Sequence, residues 1–304
     1  MTTLADQLQI EHNALIPTWF GVGGRADRLA RPMGPAQLRR CLELDPAMRV
    51  LGEGANLLVD DDGVGELVVA MTEPGMREVT FVPDSNRVIA MAGADLPRLV
   101  VEAVRRGRAG LEGLGGIPAT VGGAAVMNAG GAFGQFADVV RSVRAFTRDG
   151  REVIIPREQI DYRYRHSGLN GLVIVSVELE LPEGDAEALR TRLKEVMAYK
   201  KRSQPMSEQS AGCFFRNPVL AADVEGIGAA GQRVSAGMLI DRAGCKRLGI
   251  GGASVSERHA NFVVTGEGAA ARDVIELMDE VRRRVRDAFG IEIEPEVVVW
   301  RRSA

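Results

Sequence analysis

Residues 110–134 read GLEGLGGIPATVGGAAVMNAGGAFG, a run in which glycine and alanine outnumber all other residues. Without Cβ atoms a backbone can bring its amides close to a ligand. Pro118 stands ahead of the helix-compatible stretch ATVGGAAVMNA, so a helix N-terminus that attracts phosphate is expected here. A second glycine turn, LGEGANLL at 51–58, suggests two loops converging on a dinucleotide pyrophosphate. The competing reading is tight helix–sheet packing through small residues, and composition alone does not choose between them. Neither loop contains the G-x-x-x-x-G-K-[ST] pattern of a P-loop.

Around these loops the chain alternates strand and helix signals. ADRLARP (26–32) is extended, GPAQLRRCLEL (34–44) has helical spacing at Leu38, Cys41, Leu42 and Leu44, and MRVLGEGANLLVDD (48–61) is a strand entering and leaving a glycine turn. EVTFVPDSNRVIAMAG reads as two strands around Asp84-Ser85-Asn86, and Asp95 caps a helix closed by Gly107. The stretch 139–156 is a hairpin turning at Asp149-Gly150. A strand at 171–181 and a charged helix at 185–202 follow, with Pro205 marking a boundary. Val274, Leu277, Met278, Val281 and Val285 form one apolar helical face stopped by Gly290.

The chain's 304 residues suit two or three domains. Apolar content of 45%, charge of 26% and a net charge of −3 describe a soluble globular protein with no global pull toward nucleic acid or anionic membrane. The basic RRRVR segment (282–286) reads as a solvated helix face. The N-terminus lacks an uninterrupted apolar core of the signal-peptide kind, and no run approaches the roughly 18 apolar residues of a membrane span. Three scattered cysteines, Cys41, Cys213 and Cys245, indicate neither a disulfide framework nor a metal site. A cytoplasmic monomer is the expectation.

GIGAAG (226–231) satisfies G-x-G-x-x-G but follows the polar VLAADVE rather than a buried strand, so it reads as a loop and not as a Rossmann turn. In SAGCFFRNP (210–218) the Cys213 thiol could be buried filler, a metal ligand, a nucleophile or an acid. No histidine or cysteine lies at ligand spacing from it, which disfavours the metal.

Taken in order, TWFGVGGRAD (18–27), LGEGANLLV, the 110–134 run, YRHS (164–167), SAGCFFRNP, SAGMLIDRAG (235–244), HANFVVT (259–265) and EPEV (294–297) resemble the UDP-N-acetylenolpyruvoylglucosamine reductase family. The resemblance spans nearly the whole chain and fits the family's shorter form. It implies an α+β, FAD-binding fold of the vanillyl-alcohol oxidase (PCMH) type in two subdomains, plus a C-terminal α/β substrate-binding domain. The expected division is 1–72, joined by 297–304, then 73–203, then 204–296. It further implies NADPH-dependent reduction of UDP-N-acetylglucosamine enolpyruvate to UDP-N-acetylmuramate, a peptidoglycan precursor.

By the same resemblance the catalytic set is Arg165, Cys213 and Glu296. Arg165 would hold the substrate carboxylate bidentately, and Glu296 beside it would carry a raised pKa. Cys213 stands where the family usually has a proton-donating serine; a thiol with an ordinary pKa of about 8.5 keeps that role at neutral pH and loses it on ionisation. FAD would contact Gly52, Gly54, Ala55, Asn56, Leu57, Gly116, Pro118, Thr120, Gly122 and the side chain of Asn128, with Ala55 replacing a family serine. Lys201 or Arg202, Asn217 and His259 would meet the substrate.

Overall fold

The computed structural model describes residues 8–303 and divides by internal packing into two compact units. The first comprises residues up to 14, 26–53 and 65–200; the second comprises 15–25, 54–64 and the chain from 201 onward.

The first unit holds two sheets around one continuous core. The four-stranded sheet runs in the order Ile10–Leu15, Arg25–Ala30, Val64–Ala70, Arg49–Leu51, the last two pairing parallel. Helix α1, Pro35–Leu44, buries Leu38, Cys41 and Leu42 and leaves Leu44 outside. The five-stranded antiparallel sheet runs Glu152–Pro156, Val140–Phe146, Val173–Glu180, Arg87–Met91, Val79–Phe81. Its middle strand, VIVSVELE, is buried along nearly its whole length, as a continuous apolar run predicts for a strand covered on both faces. Arg87–Met91 instead alternates, burying Val88 and Ala90 while Arg87 and Ile89 face outward.

Helix α2, Leu96–Arg105, begins where Asp95 accepts the Arg98 amide at 2.8 Å. Helix α3, Val121–Met127, begins at Thr120, whose Oγ1 accepts the Gly123 amide, and ends at Asn128 in the left-handed conformation. Helix α4, Ala186–Ser203, carries the charged stretch anticipated near 185–202.

The second unit pairs Val298–Trp300 in parallel with Leu57–Val59. An antiparallel sheet of Gly249–Ile250, Ala253–Val255 and Val263–Thr265 and helices α5, Ala236–Arg242, and α6, Ala271–Phe289, complete it. The expected apolar face of α6 is buried, and Gly290 (φ 68°) returns its amide to the Arg286 carbonyl at 2.7 Å. GIGAAG lies in a turn closed by Val224 and Gly228, with no strand before it. Among the described residues no helix is long and apolar enough to cross a membrane.

Candidate functional site

In the first unit the YRHS motif forms a tight turn. The amides of Arg163 and His166 donate to each other's carbonyls at 3.0 and 3.1 Å, and Arg165 is held at φ 54°. A non-glycine residue in the left-handed region carries a conformational cost that its surroundings must offset. Two buried side chains, Asn128 at the end of α3 and Ser167 of the motif itself, tie the turn to α3 and do so. Asn128 Nδ2 donates to the Arg163 carbonyl at 3.0 Å and to Gln135 Oε1 at 3.1 Å, while Asn128 Oδ1 accepts the Ala137 amide at 3.0 Å. Ser167 Oγ donates to the Val126 carbonyl at 2.7 Å and accepts the Leu169 amide at 3.1 Å. Asn128 is 2% exposed and Ser167 1%. The Asn128 side chain, expected from the sequence to contact FAD, makes these hydrogen bonds within the protein. Both of its amide hydrogens are spent inside the protein, and its work is to fix the turn that presents Arg165. The Arg165 guanidinium lies over the Tyr164 ring, 5.2 Å from its centroid.

The two glycine loops meet within this unit. A Cβ on Gly52 would stand 2.7 Å from Thr120 Oγ1, so the 51–53 turn passes directly against the start of α3. Gly122 serves packing instead: a Cβ there would lie 2.9 Å from that of Ala92, whose carbonyl accepts the Gly122 amide at 2.8 Å. The two loops therefore lie against each other at Gly52, while Gly122 packs against Ala92. Gly116 and Pro118 are half-buried in the loop leading to Thr120. This close-set, half-open pair of loops, with no side chain interposed between Gly52 and Thr120, fits the phosphate-bearing part of a dinucleotide.

In the second unit Gly54 accepts the Trp19 amide at 3.1 Å, Ala55 is half-buried, and Leu57 opens the strand paired with 298–300. Asn56 Nδ2 donates to the Glu296 carbonyl at 3.1 Å, which ties the glycine turn to a predicted catalytic position. Glu296 in turn donates its amide to the Phe214 carbonyl at 2.8 Å. Cys213, half-buried, precedes Phe214 and pairs with Phe262. The structure thus brings Cys213 and Glu296 onto neighbouring segments, although 82 positions separate them in the numbering.

The segment carrying Cys213 is fixed by Asn261, 3% exposed. Its Oδ1 accepts the Phe215 amide at 3.0 Å and its Nδ2 donates to the Phe215 carbonyl at 2.8 Å, mimicking one rung of a β-ladder. His259 Nδ1 accepts the Asn261 amide at 3.2 Å, and burial holds the imidazole below its usual pKa. Asn217 Oδ1 accepts the Ala236 amide at 2.9 Å and so caps α5. The Lys201 carbonyl accepts from Arg258 at 3.4 Å, and its side chain, like that of Arg202, lies on the exposed side of α4. Among the described residues no group of three or more His, Cys, Asp or Glu side chains is placed to hold a metal ion.

Sequence reasoning missed Asn261 and Lys200. Lys200, not Lys201, is the buried lysine of the pair, 8% exposed. A signal for it existed: Leu189, Leu193, Val196 and Lys200 follow one helical stripe of α4, so Lys200 continues the buried face. Nothing local marked Asn261, because its partner amide lies 46 residues away.

Comparison with known proteins adds the following. Residues 204–300 match the C-terminal domain of UDP-N-acetylenolpyruvoylglucosamine reductase, and residues 35–155 match an FAD binding domain. The UDP-N-acetylenolpyruvoylglucosamine reductase of Moorella thermoacetica is 40% identical over 288 residues, covering 93% of this chain and 90% of that protein. The protein of that name from Desulfosudis oleivorans is 38% identical over 312 residues, covering 98% and 96%. The crystal structure of UDP-N-acetylenolpyruvylglucosamine reductase from Thermus caldophilus superposes with a TM-score of 0.81 at 40% identity, covering 97% of this chain and all of that one. These matches bear out an α+β, FAD-binding fold followed by a distinct C-terminal domain.

Proposed function

This chain belongs to the UDP-N-acetylenolpyruvoylglucosamine reductase family of FAD-dependent oxidoreductases, and from that premise we propose that it reduces UDP-N-acetylglucosamine enolpyruvate to UDP-N-acetylmuramate with NADPH as reductant. The product is a peptidoglycan precursor, and the reading places the enzyme in the cytoplasm as a monomer. Residues 1–72 with 297–304, and 73–203, would serve FAD; 204–296 would serve the substrate.

The loops at 52–57 and 116–122 would hold FAD, which when bound supplies hydride chemistry. Every other task falls to side chains of this protein. Reduction of an enolpyruvyl group builds negative charge on the carbon next to the carboxylate. Arg165, permanently cationic, would hold that carboxylate and take up the growing charge. Glu296 would share the carboxylate, and the Cys213 thiol would deliver the proton that completes the product. Asn217, His259 and Lys201 would orient the sugar nucleotide.

The observation that carries this reading is the backbone bond from Glu296 to Phe214, which sets a carboxyl and a thiol on neighbouring segments within one unit. An anaerobic visible spectrum tests it. The expected result is a yellow protein bleached by NADPH and recoloured by UDP-N-acetylglucosamine enolpyruvate. A protein bleached by NADPH that this substrate leaves colourless would sink the proposed acceptor.

A further inference from the structure

Arg216 lies between Phe215, whose backbone Asn261 grips, and Asn217, which caps α5, yet it has no task in the reading above. Its Nε is buried and, among the described residues, has no hydrogen-bond partner. The acid best placed to supply one does not. Phe215 pairs with Pro295, and two bonds of 2.8 Å flank that pair, from the Arg216 amide to the Glu294 carbonyl and from the Glu296 amide to the Phe214 carbonyl. Arg216 therefore stands opposite Glu294, but Glu294 is exposed and the Nε stays without an acceptor. A buried guanidinium donor left unpaired opposes folding, and arginine, unlike lysine, cannot shed the proton to escape that cost. An acceptor that arrives with a ligand accounts for the arrangement.

The register indicates which group of the ligand this is. Side chains alternate along extended backbone, so Arg216 and Glu294 share a face with Phe214 and Glu296, and Arg216 is diagonal to Glu296 at a Cα separation of roughly 7–8 Å. The glycine turn assigned to FAD meets the same segment from the other end. Asn56 Nδ2 donates to the Glu296 carbonyl, and the Asn56 carbonyl accepts the Val298 amide, each at 3.1 Å. Along this segment the order is flavin turn, Glu296, Arg216.

We infer that Arg216 binds the diphosphate of the substrate. The inference rests on the reading proposed above, in which the enolpyruvyl carboxylate lies at Glu296 beside the flavin. The diphosphate is the other anionic group of that substrate, and Arg216 is the cation on the side of Glu296 away from the flavin turn. Its planar fork of N–H donors suits phosphate oxygens. Lys201 and Arg202, the basic residues expected there from the sequence, are exposed and carry no such orphaned donor.

The test is calorimetric binding to the oxidised holoenzyme of UDP-N-acetylglucosamine enolpyruvate and of UDP-N-acetylglucosamine, which keeps the diphosphate and lacks the carboxylate. The second ligand is also measured by competition against the first. Wild type is compared with Arg216→Met, which keeps an apolar stem, and Arg216→Lys, which keeps the charge. Arg216→Met should weaken both ligands by the same factor, about tenfold or more, with FAD content unchanged and a ligand-free Tm no lower than that of wild type. Arg216→Lys should recover part of the loss. Equal affinities of wild type and Arg216→Met overturn the inference and leave the reductase reading standing. Weakening of the enolpyruvyl ligand alone, or a wild type that binds that ligand and not the other, overturns the diphosphate assignment. A lower ligand-free Tm or lost FAD in Arg216→Met, with Arg216→Lys binding both ligands as wild type does, overturns it in favour of a structural role. If wild type binds neither ligand, the reductase reading fails and takes this inference with it.

Discussion

Three segments present the proposed catalytic groups, and they are built on two opposite principles. Arg165 sits on a four-residue turn in a conformation that a non-glycine residue adopts at a cost, and buried side chains, Asn128 and Ser167, hold it there. Cys213 and Glu296 sit on ordinary extended backbone, placed by ladder bonds and by one buried amide, Asn261. The cation is thus fixed by side-chain anchors around a strained turn and the acids by backbone pairing of extended segments. The first kind of placement fails when an anchor is removed; the second fails when the register is lost.

Changes at the presented groups should have the largest effects. Arg165→Met should lower the rate at which the substrate reoxidises the reduced flavin by about 10³-fold, measured by stopped-flow absorbance, with FAD content unchanged. Cys213→Ala should lower the same rate by about 10²-fold, whereas Cys213→Ser should keep most of it. A fully active Cys213→Ala would remove this position from proton delivery.

Smaller effects separate the two ways of building. Asn128→Ala leaves the Ala137 amide without its partner and the Arg163 carbonyl with only the His166 amide, and should cost about 2 kcal/mol in urea unfolding. It should also reduce turnover, because the turn relaxes out of the left-handed region. Asn261→Leu should cost a similar amount, about 2 kcal/mol, and its activity loss should follow Cys213 rather than flavin content. If Asn128→Ala lost stability with turnover intact, bracing of Arg165 would be unnecessary and the contrast would collapse.

The smallest effect is a pH slope. Lys200 titrates near 8 in the folded protein against an ordinary 10.5, so below pH 8 both folded and unfolded states carry its proton and no slope arises. Between about 8 and 10.5 the unfolded state binds more protons, and stability should rise with pH, by on the order of 1 kcal/mol from pH 8 to 9. Chemical denaturation of wild type and Lys200→Met across this window should show that increment only in wild type.

Much of the fold was legible because its signals are local. The Asp149-Gly150 hairpin, the Asp95 cap and the Gly290 stop each act within a few residues of the feature they set. The 110–134 run was legible as a whole but not glycine by glycine: Gly52 and Thr120 meet as the loop reading required, while Gly122 answers to Ala92. Asn128 was read as reaching a ligand because an asparagine after a glycine-rich helix looks available, and only the return of residues 163–167 shows where its hydrogen bonds go. Lys200 drew no notice in the sequence because two adjacent lysines look alike until the phase of α4 separates the buried one from the exposed one.

The parallel pairing of Val298–Trp300 with Leu57–Val59 also bears on how the protein is made. A chain leaving the ribosome N-terminus first can close the first unit once residue 200 has emerged. The second unit must keep residues 54–64 in waiting through the synthesis of more than two hundred further positions. During that interval Leu57–Val59, an apolar strand, lacks the neighbour that will cover its edge, and this is the window in which nascent chains are most open to misassociation and to chaperone capture.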